Sequence, residues 1–272
     1  MDKDLEKDIK ELLYKIFRLN NKVFIFQTDV LKTALHYNLN PIFVAKKFIY
    51  HIENIFKNKT ILFPAFSNDI ITKKKYDLKR SSIYTGVIPK LLLKKNYYRT
   101  FSPLHSFLVK GSLINEIKKL KQITTWGKGS LYEWIEKKNS IWVTLNLDWD
   151  RGCSFAHRSE ELCKVKFRYF KTYSGSLYNN GKFIKKISEI KYSNYPTTIK
   201  RDYAKYFIRL KKFHNNSFFI NQGMFANAAL TKDIIQDYNY NFRRDKLFGL
   251  KNKIQFKNWL KKNKKKFTNS FN

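Results

Sequence analysis

Apolar positions along the chain switch between helical and extended spacing, and this pattern predicts the elements of the fold. Residues 2–18 place leucines and isoleucines three and four apart behind an acidic first turn, as an amphipathic helix requires. Short aromatic and β-branched runs predict strands instead. The predicted helices are residues 2–18, 41–56, 83–93, 113–120, 130–137, 202–212 and 231–238, and the predicted strands are residues 22–26, 60–63, 107–109, 140–147 and 217–220.

Residues 165–195 have a different residue pattern, with repeated aromatic and β-branched residues around turn signals at Ser174-Gly175 and Asn179-Asn180-Gly181. Such a pattern favours an antiparallel hairpin section. Because helices and strands alternate elsewhere, the chain is predicted to adopt a mixed α/β (α+β) fold, with helices flanking a central mixed β-sheet. We expect residues 1–250 to form one domain and residues 251–272 a lysine-rich C-terminal helix and tail.

The charge balance is the strongest signal in the composition. The 272 residues include 55 Lys and Arg against 21 Asp and Glu, a net charge of +34, so the partners should be anionic. The abundance of Lys, Asn, Ile, Phe and Tyr also fits AT-rich coding bias, which would scatter lysines without a function. No zinc-finger or RNA-binding signature accompanies the basic residues, so nucleic acid is not the expected partner.

The cysteines and the hydropathy pattern narrow the class of protein. Cys153 and Cys163 lie ten residues apart without a CxxC pair, a spacing that supports neither a disulfide framework nor a metal site. There is no run of eighteen apolar residues and no signal-peptide pattern at the N-terminus. We therefore expect a cytoplasmic protein without membrane insertion and without a metal.

One segment has the residues of a general base. It is CSFAHRSE, residues 153–160, and it follows a buried strand that ends near Asp148. Ser154 is a predicted N-cap, and the three-residue spacing of His157 and Glu160 places both on one helix face, where the carboxylate can orient the imidazole. His105, at a proline-bounded strand entry, is a second candidate. For each histidine, a satisfied core or surface position is the alternative reading.

Several segments resemble, in order, the motifs of the aminoglycoside 3-N-acetyltransferase (antibiotic N-acetyltransferase) family. Together they cover about residues 1–240, and their order predicts a shared fold. The segments are VFIFQTDVLK (23–32), TILFPAF (60–66), SSIYTGVIP (81–89), RTFSPLHSFLV (99–109), WGKGS (126–130), the strand and C-x-x-x-H-x-x-E segment (141–160), and Ala226-Asn227-Ala228.

The resemblance implies acyl transfer from acetyl-CoA or another acyl-CoA to the amine of a sugar, with a histidine-centred base. His157 matches the catalytic histidine of the family, and Glu160 matches the acidic residue three places later. Asp202 is the candidate for a further acidic partner. Thr28 and Ser82 match loop positions that would bind the cofactor, and His105 and Ser106 match a segment that lines the cofactor cleft.

The chain also departs from the family pattern. Gln27 and Ser102 stand where members have histidines, and Lys90 stands where an acidic residue is common. Aminoglycosides are polycations that need carboxylate-rich pockets, so a chain with a net charge of +34 is expected to attract them poorly. Anionic acceptors fit better, and residues 167–181 resemble the branch that acylates nucleotide-linked amino-deoxy-sugars for surface polysaccharides.

Three readings remain open at this stage: an N-acyltransferase for a nucleotide-linked amino sugar, an aminoglycoside N-acetyltransferase, and a non-catalytic member that binds polyanions. For the first, Trp126 and Trp149 are candidate aromatic faces for the acceptor, and Asp148 could hydrogen-bond sugar hydroxyls, although core packing and turn formation are the alternatives. The acyl group is left open, as is the assembly state, for which a homodimer is one option.

Overall fold

A seven-stranded sheet lies at the centre of the molecule in the computed structural model, which describes residues 2–263. Its strands follow the order β4-β5-β2-β1-β6-β10-β9, and a smaller sheet has the order β3-β7-β8. The strands are β1 (Val23–Thr28), β2 (Thr60–Pro64), β3 (Lys75–Asp77), β4 (Tyr98–Arg99), β5 (Phe107–Lys110), β6 (Ile141–Leu145), β7 (Arg168–Asn179), β8 (Lys182–Asn194), β9 (Asn216–Asn221) and β10 (Met224–Leu230).

Helices cover both faces of this sheet. In β1, Val23 and Ile25 pack into one apolar core while Phe24 and Phe26 pack into the other, so the strand is buried on both sides. The helices are α1 (Asp2–Phe17), α2 (Leu31–His36), α3 (Pro41–Ile55), α4 (Asp69–Thr72), α5 (Val87–Leu92), α6 (Ile114–Lys118), α7 (Leu131–Lys137), α8 (Trp149–Gly152), α9 (Ala156–Leu162), α10 (Ile208–Phe213), α11 (Thr231–Arg244) and α12 (Lys253–Asn263), and a 3₁₀ helix spans Tyr203–Phe207.

The predicted mixed fold is confirmed. The central strands β2, β1 and β6 are parallel, and the pairings that flank them are antiparallel. The predicted helix at 83–93 begins only at Val87, because Gly86 precedes it with a φ of 110°. Strand β10 has no counterpart in the prediction. Its alanine-rich sequence has low strand propensity, and it is extended because it pairs with β6.

Strands β7 and β8 form one long hairpin. The predicted turn at Asn179-Asn180-Gly181 is confirmed, since Asn180 and Gly181 both have positive φ between the two strands. The predicted turn at Ser174-Gly175 is wrong, because Gly175 lies within β7 and pairs with Ile187. At the open end of the hairpin, Tyr192 of β8 belongs to the same apolar core as Trp142 of β6.

The C-terminal helix α12 packs onto the same core as the main sheet. Phe256 is fully buried, and the ring of Trp259 contacts that of Tyr195. Residues 264–272 of the predicted lysine-rich tail lie outside the described residues, and the predicted domain division stays a prediction. Within residues 2–263, no helix is long and apolar enough to cross a membrane.

Gly249, between α11 and α12, packs closely against a buried aromatic ring. It has a φ of +79°, and a Cβ there would lie 1.8 Å from Cε1 of the buried Tyr206 ring. Replacing Gly249 by Ala should lower the free energy of unfolding by about 2–5 kcal/mol, from left-handed backbone strain together with overpacking. Urea unfolding measures the loss.

Gly129→Ala is the matched control. Gly129 has a φ of +76° but nothing within 4 Å of its built Cβ, so only the backbone cost of about 1–2 kcal/mol should remain. Equal losses in the two variants would contradict the packing around Tyr206.

Candidate active site

The carboxylate of Glu160 is the buried centre of the candidate site. Its Oε2 lies 2.8 Å from Nδ1 of His157 and 2.5 Å from Nη2 of Arg168. Its Oε1 accepts a hydrogen bond of 2.7 Å from Arg201. Burial opposes ionisation, but the two guanidinium groups outweigh it and hold the pKa of Glu160 well below its usual range. Glu160 is therefore a carboxylate at any working pH.

Helix α9 provides both members of the His157–Glu160 pair, as the spacing predicts. The two side chains project from one face, because three residues correspond to almost one helical turn. The predicted N-cap is wrong. Phe155 occupies that position, and the Ser154 hydroxyl instead forms a 2.9 Å hydrogen bond with the Tyr132 hydroxyl.

His157 can accept a proton. Burial lowers its pKa to about 4, although the Glu160 carboxylate favours the charged form, so the imidazole is neutral near pH 7. Its Nδ1 also lies 2.9 Å from Nη2 of Arg168, and we assign the Nδ1 proton to the bond with Glu160. Nε2 has no hydrogen-bond partner among the described residues, and the side chain is 21% exposed. Nε2 is thus the open acceptor.

Two aromatic rings fix the position of the His157 imidazole. The Trp126 ring lies 4.9 Å from it and the His105 ring lies 6.5 Å from it, measured between centroids. His105 is held in turn by a 3.1 Å hydrogen bond to the Tyr132 hydroxyl. Burial and the nearby Lys191 lower the pKa of His105 well below its ordinary value. The structure therefore brings both candidate histidines and Trp126 together.

Two cavities meet at His157 and Tyr203, which line both of them. We name them the first lobe, about 350 Å³, and the second lobe, about 290 Å³. The first lobe is lined mainly by Gln27, Phe66, Tyr84, Thr85, Asp150, Arg151, Cys153, Ser154 and Phe207. The second lobe is lined mainly by His105, Trp126, Arg168, Tyr173, Lys191, Ser193, Asn194 and Arg201.

The second lobe is cationic. Three of its residues carry positive charge, and among the described residues that line it there is no Asp or Glu. Behind the lining, Glu189 is buried and accepts hydrogen bonds of 2.9 and 3.1 Å from the Ser102 hydroxyl. Burial raises the pKa of Glu189 to about 7. The lobe therefore has the charge that attracts phosphates and carboxylates.

Arg99 joins the loops that the sequence assigns to the cofactor. Its guanidinium donates to the carbonyls of Ser81 and Ala65 at 2.8 and 3.0 Å and to the Ser106 hydroxyl at 3.2 Å. The loops that carry Ser82 and Ser106 thus lie side by side near the first lobe. Their hydroxyls do not line it, because Ser82 donates to Asp69 and Ser106 to the carbonyl of Ala65.

Thr28 lies at the end of β1, next to Gln27 of the first lobe. Its carbonyl is close to the backbone of Gly86, which follows the Ser82 loop. The structure thus gathers the three predicted loops around one cavity. The cofactor roles of Thr28, Ser82, His105 and Ser106 stay predictions.

Three predicted site residues lie outside the cluster. The Asp202 carboxylate is 3.6 Å from Lys205, and its neighbour Arg201 contacts Glu160 instead. Trp149 is fully buried, stacks on Phe207 and donates to Asn215, so it has no free face for a substrate. Asp148 is exposed in the turn before α8.

The cations of the site are not among the residues predicted from the sequence. Arg168 begins β7, six residues after the end of α9, and Lys191 lies on β8, farther along the chain. Only Arg201, beside the predicted Asp202, has a signal in the sequence. Cys153 and Cys163 are unpaired, and the described residues hold no group of three or more His, Cys, Asp or Glu arranged for a metal ion.

Comparison with known proteins decides the family. The sequence profile of the aminoglycoside 3-N-acetyltransferase family matches residues 53–231, more than half of the chain. The chain belongs to this family. The match includes His105, Trp126 and the His157–Glu160 pair, so the family predicted from the motifs is confirmed.

Solved structures show the same fold at low sequence identity. "AAC-IIIb binary with CoASH" has a TM-score of 0.71 at 11% identity, covering 88% of this chain and 96% of that one. The YokD protein from Bacillus subtilis has a TM-score of 0.69 at 13% identity, covering 88% and 99%. Sisomicin-bound AAC-VIa has a TM-score of 0.69 at 11% identity, covering 88% and 97%. No curated protein gives a significant match.

Glu160→Gln tests the buried centre. The substitution leaves two buried guanidinium groups without a charged partner, so the free energy of unfolding should fall by about 3–5 kcal/mol. In the wild type, the stability due to the lowered pKa of Glu160 is present above the pKa of the unfolded carboxyl, about 4.3, and is lost as the pH falls below it. Urea unfolding at several pH values should show that Glu160→Gln lacks this acid-dependent loss of stability.

Glu136→Gln is the control, because Glu136 also pairs with an arginine, Arg158, but its side chain is 26% exposed. We expect a loss of about 1 kcal/mol there. A loss at Glu160 no larger than at Glu136 would contradict the assignment of Glu160 as the buried centre.

Proposed function

We propose that the protein transfers an acyl group from an acyl-CoA to the amine of an amino-deoxy-sugar carried on a nucleoside diphosphate. The observation that carries the proposal is the His157–Glu160 pair, which lies where the cationic second lobe meets the first lobe. Membership in an N-acetyltransferase family supports the reaction class. A structural neighbour solved with CoASH supports the donor.

In this proposal His157 is the general base. The amine nitrogen attacks the thioester carbonyl, the new C–N bond forms, and Nε2 accepts the proton that the nitrogen loses. The C–S bond then breaks, and the imidazolium returns a proton to the CoA sulfur, which leaves as a thiol. The carboxylate of Glu160, 2.8 Å from Nδ1, stabilises the imidazolium between these steps.

The first lobe fits the pantetheine arm of an acyl-CoA. Gln27 lines this lobe, and its Oε1 is buried without a hydrogen-bond partner among the described residues. A buried acceptor without a partner is costly, and an amide N–H of pantetheine would satisfy it. Phe66 and Tyr84 supply apolar surface in the same cavity. This arrangement keeps the three predicted cofactor loops beside the donor.

The second lobe fits an anionic acceptor. Arg168, Lys191 and Arg201 give it positive charge, and a diphosphate is the kind of group that such side chains bind. A polycationic aminoglycoside would instead meet like charge there. The proposal extends to a cytoplasmic role in surface polysaccharide synthesis and leaves the acyl group and the assembly state open.

An aminoglycoside acceptor is the second candidate function. The family description favours it, and AAC-VIa has been solved with sisomicin bound. Asp150, which lines the first lobe, is a carboxylate that a substrate ammonium could contact. A non-catalytic, polyanion-binding role has less support, because the His157–Glu160 pair is fully assembled.

Parallel turnover assays decide between the acceptors. With acetyl-CoA and detection of the released thiol, nucleotide-linked amino sugars should show kcat/KM at least about tenfold above any aminoglycoside, equal to about 1.4 kcal/mol in transition-state binding.

His157→Ala should lower kcat by about 10² or more in the same assay, because the general base is lost. The exposed His36→Ala is its control.

Turnover confined to aminoglycosides would overturn the proposed acceptor and leave the reaction class intact. Near-wild-type turnover in His157→Ala would overturn the general base.

A further inference from the structure

Lys191 is a cation of the second lobe whose ammonium lies over an aromatic ring. It lies on β8, partly buried, with its Nζ 5.3 Å from the centroid of the Trp126 ring. Among the described residues its ammonium has no hydrogen-bond partner and no carboxylate within ion-pair distance. Lys191 lines the same cavity as His157 and His105. Its charge is therefore directed into the space where a substrate would lie.

The other two cations of the lobe are already paired. Arg168 and Arg201 both bind Glu160, which is fully buried. Arg168 also donates to the carbonyl of Tyr192, and Arg201 donates to Asn194. Each guanidinium thus already has an ion-pair partner, which offsets part of the charge that a ligand would meet.

The Glu189 carboxylate offsets only part of the cost of burying the Lys191 charge. Glu189 lies two residues earlier on β8, and both of its oxygens accept hydrogen bonds from the Ser102 hydroxyl. Burial raises the pKa of Glu189 and lowers that of Lys191 to about 8, as expected where each charge lacks full compensation. An anion that enters the lobe would supply this compensation.

We propose that the Lys191 ammonium, held over the Trp126 ring, binds a phosphate of the substrate that occupies the second lobe. The inference rests on the proposed acyl transfer for the identity of that substrate. Both the nucleotide-linked acceptor and CoA carry phosphates, so the chemistry is shared and the source is decided by experiment. In either case Lys191 is a specificity-determining residue and takes no part in proton transfer.

Lys191→Met removes the charge and keeps the length of the side chain. KM for the substrate that supplies the phosphate, the nucleotide-linked amino sugar or CoA, should rise about tenfold or more, as for the loss of a charge-assisted hydrogen bond, while kcat changes by less than about threefold. KM for the same amino sugar without phosphate should not change. Lys191→Arg should restore most of the lost affinity, which a purely structural role would not predict.

Lys171→Met is the matched control. Lys171 pairs directly with Lys191 across the hairpin, but its side chain is exposed. Removing it changes the net charge by the same amount at nearly the same place. If this variant weakened binding as much as Lys191→Met, the effect would come from the overall positive charge of the protein, and the proposal would fail.

Two calorimetric titrations, with CoA and with inorganic diphosphate, separate the sources of the phosphate. Weaker CoA binding in Lys191→Met assigns the contact to the donor. Unchanged CoA binding together with weaker diphosphate binding assigns it to the acceptor. CoA binding and diphosphate binding that are both unchanged in Lys191→Met, together with unchanged KM values, would overturn the proposal.

The titrations also distinguish this inference from the proposed function. If the wild type acylated only aminoglycosides, the proposed acceptor would be wrong, whereas the diphosphate titration would still decide whether Lys191 binds a phosphate. Urea unfolding of Lys191→Met and Lys191→Arg confirms that both variants are folded.

Discussion

A carboxylate without exposed surface stays ionised only when its partners replace the lost hydration, and Glu160 meets this condition through three separate parts of the chain. Helix α9 supplies His157, the start of β7 supplies Arg168, and the segment after β8 supplies Arg201. Each partner must lie within hydrogen-bond distance, since a buried charge that loses a partner is strongly destabilising. Glu160 thus ties the start of the long hairpin and the segment after it to helix α9.

The same constraint shapes the cavity. Because Arg168 and Arg201 approach Glu160 from the hairpin side, the wall of the second lobe is cationic, and Lys191 adds a charge that Glu160 does not use. The sequence marks this part of the chain as unusual, since Ser102 replaces a family histidine. In the structure the Ser102 hydroxyl donates to Glu189 of the hairpin. The departure from the family pattern thus lies in direct contact with the hairpin.

The sequence predicts what depends on neighbours along the chain. The apolar runs predict β1, β2 and β6, and the three-residue spacing predicts that His157 and Glu160 share a helix face. It does not predict β10, which is extended because it pairs with β6. It also misses Arg168 and Lys191, because no local pattern tells which lysines and arginines of a basic chain face α9. Trp149 shows the opposite error, since the sequence offers it as a substrate-binding face and the structure buries it completely, which is the core-packing alternative.

The central claim is that burial keeps His157 neutral while Glu160 holds its proton on Nδ1, which leaves a free lone pair on Nε2. Nitrogen-15 NMR of the imidazole in the full-length protein tests it most directly, with His157→Asn to assign the signals. The account predicts a protonated Nδ1, an unprotonated Nε2, and no titration between about pH 5.5 and 8, since burial lowers the pKa of His157 to about 4. A proton on Nε2, or titration near pH 6.5, would contradict it.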